Sequence, residues 1–161
     1  MEAPKVSFVA PLYNESKVFH LLVERLNAVM DKADFPIEVV LIDDGSRDDT
    51  AMKMADLAMN DARYQCVFLS RNYGHQLALS AGLKAATGTE AIMVIDGDLQ
   101  DPPELIFDFY AKMNEGFDVV YAVRQKRKEG PLKKLAYNSF YRFQKRMANI
   151  DVPLDSGDFR S

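Results

Sequence analysis

The sequence predicts an α/β domain with a mainly parallel sheet flanked by helices. Three observations carry that prediction. Short β-branched runs alternate with helical patterns five times along 161 residues. The run Ile37–Ile42 is apolar enough, Glu38 apart, to be buried on both faces, as strands of parallel sheets are. The length suits one domain with a sizeable core, and 48% apolar residues exclude a disordered chain.

The elements follow in order. Lys5–Ala10, ended by Pro11, reads as a first strand. Asn14 is a suitable cap for a helix from Glu15, in which Val18, Leu22, Leu26, Val29 and Met30 recur at helical spacing. Ile37–Ile42 ends in Asp43-Asp44-Gly45-Ser46. A helix over 49–59 takes its apolar content from Met52, Ala55, Leu57 and Ala58. Gln65–Leu69 is a third strand, and Cys66 within it reads as a buried, inert thiol. Gly74 opens a helix of small residues over 76–87, and Gly88 ends it. Ala91–Ile95 reads as a buried strand. Pro102 and Pro103 suit a first helical turn, and Gly116 stops that helix near Asn114. Val119–Val123 is a fifth strand, Arg124–Gly130 a loop, and Pro131–Ile150 a long helix with Leu132, Leu135, Phe140, Phe143 and Met147 on one stripe.

Composition narrows the function. No apolar run approaches the roughly 20 residues of a membrane span, and no signal peptide opens the chain. A single cysteine cannot form an internal disulfide, which fits a reducing compartment, and it excludes a multi-cysteine zinc site. Residues 1–123 carry 20 acidic and 10 basic side chains, whereas 124–146 carry nine basic and one acidic. That asymmetry suits an anionic partner near the basic segment, although a solvated helix face would look the same.

Ligands of open α/β sheets bind outside the carboxyl ends of the strands. Three polar clusters fall at such ends: Pro11-Leu12-Tyr13-Asn14-Glu15, Asp43-Asp44-Gly45-Ser46 and Asp96-Gly97-Asp98. Turn chemistry explains one such cluster more easily than three. Alternate carboxylates at Asp96 and Asp98 suit one hard cation, Mg²⁺ or Mn²⁺, shared with ligand phosphates. Asp101 and Glu104 fit the start of a helix, where negative charge favours the dipole. One carboxylate of Asp43-Asp44 suits a base or ribose. Asp48 and Asp49 suit a helix cap. Arg124 and Arg127 could clamp phosphate oxygens or simply lie in solvent. His20 reads as structural, and His75 sits at the mouth of a helix. No Ser-His-Asp grouping or P-loop is present.

Five ordered motifs then carry a resemblance across nearly the whole chain. They are PLYNE at 11–15, IDDGSRDDT at 42–50, SRNYGHQLALSAGL at 70–83, IDGDLQDPPEL at 95–105 and SGDFRS at 156–161. With them the chain resembles the inverting family 2 glycosyltransferases of GT-A fold. Within that family it is similar to the branch of dolichol- or polyprenyl-phosphate sugar synthases and bactoprenol glucosyltransferases. The resemblance implies a catalytic, Rossmann-like GT-A domain over 1–161, truncated before further helices and membrane segments. It implies transfer of a sugar from a UDP- or GDP-linked donor to a polyprenyl phosphate or another cell-envelope glycan acceptor. It places Pro11, Tyr13, Glu15, Asp43 and Asp44 in the nucleotide pocket, Asp96 and Asp98 on the metal, and Gln100 near the diphosphate. It assigns Asp158 to the acceptor phosphate as a catalytic acid beside Asp98, and Arg124 or Arg127 to diphosphate or lipid phosphate. His75 departs from a position that is often Lys in the branch. The implied setting is the cytoplasmic face of a membrane, reached through the C-terminal part, with no nucleic-acid partner and room for a homo-oligomer. Two alternatives stand beside this reading: a nucleotide-binding fragment without turnover, and a haloacid-dehalogenase-like phosphatase with Asp96 as nucleophile.

Overall fold

A computed structural model describes residues 3–98 and 102–122. Residue contacts divide the chain after Val120, and the fold below belongs to the first unit. Four strands, β1 (Val6–Leu12), β2 (Ile37–Asp43), β3 (Tyr64–Phe68) and β4 (Ala91–Val94), form one sheet in the order β3-β2-β1-β4. Every pairing is parallel, with Val6 opposite both Ile37 and Ala91. The helices are α1 (Phe19–Lys32), α2 (Thr50–Asn60), α3 (His75–Ala85) and α4 (Ile106–Asn114), with a 3₁₀ turn at Pro103–Leu105 before α4.

Strand order and handedness together place the helices. From β1 to β2 to β3 the chain steps in one direction, so right-handed crossovers put α1 and α2 on the same face. From β3 it steps back across β2 and β1 to β4, which sends α3 to the opposite face. The core is divided accordingly. Phe8, Leu12, Val39 and Leu41 pack with Leu22, Leu26 and Val29 of α1, Met54 of α2 and Ile106 of α4. On the other face Val9, Val40 and Ile42 meet Ala78 of α3. The small residues of α3 allow a close approach. A Cβ at Gly82 would stand 2.4 Å from Ile42 Cδ1 and 2.5 Å from Val9 Cγ1.

As expected, β2 is buried along its whole length, and Pro103 and Gly116 bound the α4 segment. Several expectations are corrected. The first helix begins at Phe19, not at Glu15, and Asn14 does not cap it. Asn14 takes a left-handed φ of 57°, and its side chain accepts a hydrogen bond from Arg47 N at 2.8 Å. His20 is exposed on α1, outside the core formed by its neighbours. In α2 the buried methionine is Met54, while Met52 faces solvent. The third helix ends at Ala85. Gly88 is needed for close approach rather than as a helix stop, because a Cβ there would lie 2.6 Å from Ser7 Oγ. The strand β4 alternates buried and exposed residues, since α3 covers β1 and β2 and leaves Ile92 and Val94 exposed. Residues 119–122 form no strand; they join no ladder of the sheet, and Val119 is exposed. Val123, the loop at 124–130 and the helix expected at 131–150 lie outside the described residues.

Cys66 is half-buried. Burial pushes its thiol up to about 11, and Sγ donates to Met54 O at 3.3 Å, so it is inert as expected.

At the amino end of the sheet one acid stands out. Glu38 is 6% exposed, and its carboxylate accepts hydrogen bonds from Ser7 Oγ (2.5 Å), Gln65 Nε2 (2.8 Å), Thr87 N (2.5 Å), Thr87 Oγ1 (2.9 Å) and Gly88 N (3.1 Å). Neutral donors on three segments thereby hold a buried charge and tie the α3–β4 connection to the sheet.

Candidate functional site at the carboxyl edge of the sheet

The strand order reverses at β1, which is flanked by β2 on one side and β4 on the other. Such a switch point opens a crevice at the carboxyl ends of the strands. The three polar clusters share this edge because β1, β2 and β4 run parallel: β1 and β2 end side by side at Leu12 and Asp43, and the chain after β4, which ends opposite Val9, carries Gly97 against Leu12.

The loops after β1 and β2 are stitched into one unit. Ser46 Oγ accepts from Asn14 N at 2.9 Å, Thr50 Oγ1 from Glu15 N at 3.0 Å, and Asp48 Oδ2 from Ser16 N at 3.1 Å. Lys53 Nζ closes the stitch by donating to Ser16 O at 2.6 Å. Asp49 holds the cap position of α2 without a side-chain cap hydrogen bond, and Asp48 before it serves the helix start instead, with Oδ1 accepting from Thr50 N at 3.0 Å and from Thr50 Oγ1 at 2.5 Å. Desolvation opposes ionisation of Asp48, yet the Thr50 and Ser16 hydrogen bonds hold its carboxyl down at about 2.

Pro11 was expected to end the first strand, but β1 runs through it to Leu12, with Pro11 opposite Ile42; beyond the strand Tyr13 is exposed and Glu15 half-buried. Burial raises the Glu15 carboxyl above its ordinary range, and the charges of Asp98 and Asp48 raise it further. That coupling places Glu15 beside the acid of the third cluster, although the two lie 83 positions apart in the chain. Asp43 is buried and accepts from Ser46 N at 3.2 Å, which fixes its carboxylate at the mouth of the loop. Asp44 is buried too but points elsewhere. It accepts from Tyr73 N at 2.7 Å and from Gly74 N at 2.9 Å.

In the third cluster Asp96 is half-buried and Asp98 exposed, while Gly97 between them is buried. A Cβ at position 97 would stand 2.1 Å from Leu12 Cδ2, so only glycine fits there without moving the core. Glu104 leaves the crowd of acids. It sits in the 3₁₀ turn, as its sequence position suggested, and pairs with Arg25 through Nε at 3.2 Å and Nη2 at 2.6 Å. His75 is exposed at the start of α3. Gln100, Asp101, Arg124, Arg127 and Asp158 lie outside the described residues.

Among the described residues no three His, Cys, Asp or Glu side chains converge as a metal-holding group. The donor set nonetheless fits a hard divalent cation. Mg²⁺ needs only one or two protein carboxylates when ligand phosphates complete its shell. Asp96 and Asp98 supply two, and the raised Glu15 carboxyl shows negative charge gathered beside Asp98.

Sequence reasoning missed the stitching of the two loops and the grip of Asp44 on the third. A polar residue fit for left-handed backbone followed by an acid, as at Asn14-Glu15, was the one local signal.

Comparison with known proteins identifies the family and the fold. The chain is 46% identical over 155 residues to the uncharacterized glycosyltransferase YkcC of Bacillus subtilis (strain 168), covering 96% of this chain and 48% of that protein. It is 41% identical over 133 residues to the undecaprenyl-phosphate 4-deoxy-4-formamido-L-arabinose transferase of Enterobacter sp. (strain 638), covering 82% of this chain and 40% of that protein. The chain thus spans half or less of the length of these relatives. Its fold superposes on the mannosyltransferase PcManGT from Pyrobaculum calidifontis, solved in complex with GDP-Man and Mn²⁺. The TM-score is 0.56 at 25% identity, covering 70% of this chain and 32% of that one. The fold is thereby GT-A, and the phosphatase alternative gives way. The model of glycosyl transferase family 2 matches residues 7–161, and the chain belongs to that family.

Proposed function

We propose that this domain binds a nucleotide sugar and serves an inverting transfer of the sugar to a polyprenyl phosphate at the cytoplasmic face of a membrane. The observation that carries the reading is that Glu15, Asp43 and the Asp96-Gly97-Asp98 cluster all lie at the carboxyl edge of strands around one switch point, where burial and then the charge of Asp98 raise Glu15. The similarity to an undecaprenyl-phosphate sugar transferase supports the lipid acceptor. The donor and metal of PcManGT support a nucleotide sugar and a divalent cation.

In this reading Pro11 and Tyr13 line the base, and Asp43, held by Ser46 N, accepts from base or ribose. Asp96 and Asp98 hold Mg²⁺ or Mn²⁺. Bound there, the cation would neutralise the departing diphosphate. The acceptor phosphate is already anionic near neutral pH, so it needs positioning and charge screening more than a strong base. Gln100 beside the diphosphate, Arg124 and Arg127 on phosphate oxygens, and Asp158 at the acceptor take their roles from the family resemblance. The nine basic residues of 124–146 would favour an anionic membrane surface. Among the described residues no helix is long and apolar enough to cross a membrane.

Calorimetry with UDP and GDP, each with and without Mn²⁺, tests the donor half. Binding that needs Mn²⁺ and is lost in Asp98→Ala is the expected result. Metal-independent binding that survives Asp98→Ala would remove the metal role. Donor binding without sugar transfer to undecaprenyl phosphate would identify this chain as the donor-binding part of a longer enzyme.

A further inference from the structure

Asp44 was expected beside Asp43 in the nucleotide pocket, and its contacts are with the backbone of a neighbouring loop. It is 4% exposed, and both carboxylate oxygens are engaged by backbone: Oδ1 by Tyr73 N at 2.7 Å and Oδ2 by Gly74 N at 2.9 Å. Those amides belong to the segment that leads into α3. The helix has Gly74 at its cap position, no side-chain cap of its own and no acid in its first turn. Asp44, 30 residues upstream, instead binds the amides of the two residues just before the first helical turn. Its carboxylate takes two backbone donors at the entrance to the helix, and its charge lies at the favourable end of the helix dipole.

The neighbouring residue shows how tightly the two loops are joined. Gly45 has a φ of +68°, and a Cβ there would stand 2.3 Å from the carbonyl carbon of Arg71. The Asp43–Ser46 loop therefore presses on the Arg71–Gly74 loop backbone to backbone. On the outer side of this contact Arg71 stacks over the Tyr73 ring at 4.7 Å, and the Tyr73 hydroxyl lies 3.3 Å from Ser70 Oγ. An exposed cation and an exposed ring are thus carried on the loop that Asp44 and Gly45 contact, one position on from Asp43.

We propose that Asp44 is a positioning residue, which latches the Arg71–Gly74 loop against the Asp43–Ser46 loop and thereby forms one wall of the nucleotide pocket without touching the nucleotide. The adjacent acids Asp43 and Asp44 then have separate tasks. Asp43 faces the ligand, and Asp44 holds the loop beside it. This rests on the nucleotide-binding reading above, and the experiment separates the two.

The test compares amide hydrogen exchange at residues 70–75 with nucleotide affinity for the 161-residue chain and three variants. Asp44→Asn keeps the shape but replaces one acceptor oxygen by a donor group. Gly45→Ala keeps the Asp44 charge but forces the loops apart, and it reads the same contact should Asp44→Asn fail to fold. Asp43→Asn alters the expected ligand contact. Asp44→Asn and Gly45→Ala should speed exchange at Tyr73 and Gly74 and weaken UDP or GDP binding, for Asp44→Asn by about tenfold or more. Asp43→Asn should weaken binding while the 73–74 amides stay as protected as in the parent.

Two results would overturn the latch. One is weakened binding in Asp44→Asn with 73–74 protection unchanged, which would make Asp44 a direct contact. The other is faster exchange with affinity unchanged, which would place the loop outside the pocket. If the parent chain binds neither nucleotide with Mn²⁺, the donor reading fails and takes the pocket wall with it, whatever the exchange shows.

Discussion

The two ends of this sheet both use buried acid for cohesion, but only one also gathers acids together. At the amino end Glu38 stands alone and accepts hydrogen bonds that tie three segments together. At the carboxyl end Asp44 does the same for two loops, yet Glu15, Asp48 and Asp98 also lie within range of one another. Burial raises Glu15, and the charges of Asp98 and Asp48 raise it further. Acids perturbed together in this way cluster at functional sites more than at purely structural ones.

The contrast can be broken most forcefully at Glu38. Glu38→Ala strands the buried hydroxyl of Ser7 and the part-buried amides of Thr87 and Gly88, and should cost about 2–4 kcal/mol, read as a lower urea midpoint. The matching change at the other end, Asp98→Asn, should leave the urea midpoint unmoved or raise it, because it removes repulsion from Glu15. A large loss of stability there would mean the two ends do not differ.

The pH dependence sharpens the same comparison. A raised Glu15 binds its proton more tightly folded than unfolded, so it favours the fold at low pH and loses that contribution as pH rises above 4.5, the ordinary value for Glu. Asp48 acts in the other direction. Its stabilising effect is present above 3.8 and is lost as pH falls towards about 2. Carboxyl-detected NMR should therefore find Glu15 titrating above and Asp48 below the ordinary range, and Asp98→Asn should move Glu15 downward. A Glu15 titration indifferent to Asp98 would separate the first cluster from the third. The smallest effect belongs to the exposed pair that removes Glu104 from the crowd of acids. Arg25→Ala should cost under about 1 kcal/mol and leave Mn²⁺-dependent binding intact.

Much of this architecture was legible in the sequence. Strand β2 declared itself through a continuous apolar run, and α4 through its flanking prolines and glycine, because those signals are local. The sites of error share one physical cause. Asn14 was read as a cap because Asn before an apolar-periodic segment usually is one, but its partner is Arg47 N, on the next loop. Glu38 looked like a blemish in a buried strand, since its five donors come from residues 27 to 50 positions later and 31 positions earlier. The edge position of β4 is a property of strand order, which no single run of residues encodes. The three polar clusters stood out because strand ends are predictable. The different partners of Asp43 and Asp44 did not, because those of Asp44 lie on a loop 29 residues further along.

Gly97 has a consequence for how such acidic motifs vary. The two outer letters of Asp96-Gly97-Asp98 answer to chemistry, but the middle one answers to Leu12 in the core below it. A larger residue at 97 and a smaller one at 12 would form an alternative solution, chosen together across two neighbouring strands. Substitution at this place is therefore expected to be correlated rather than free. Gly97→Ala alone should unsettle the acids, and Gly97→Ala with Leu12→Ala should restore their spacing at the expense of the core.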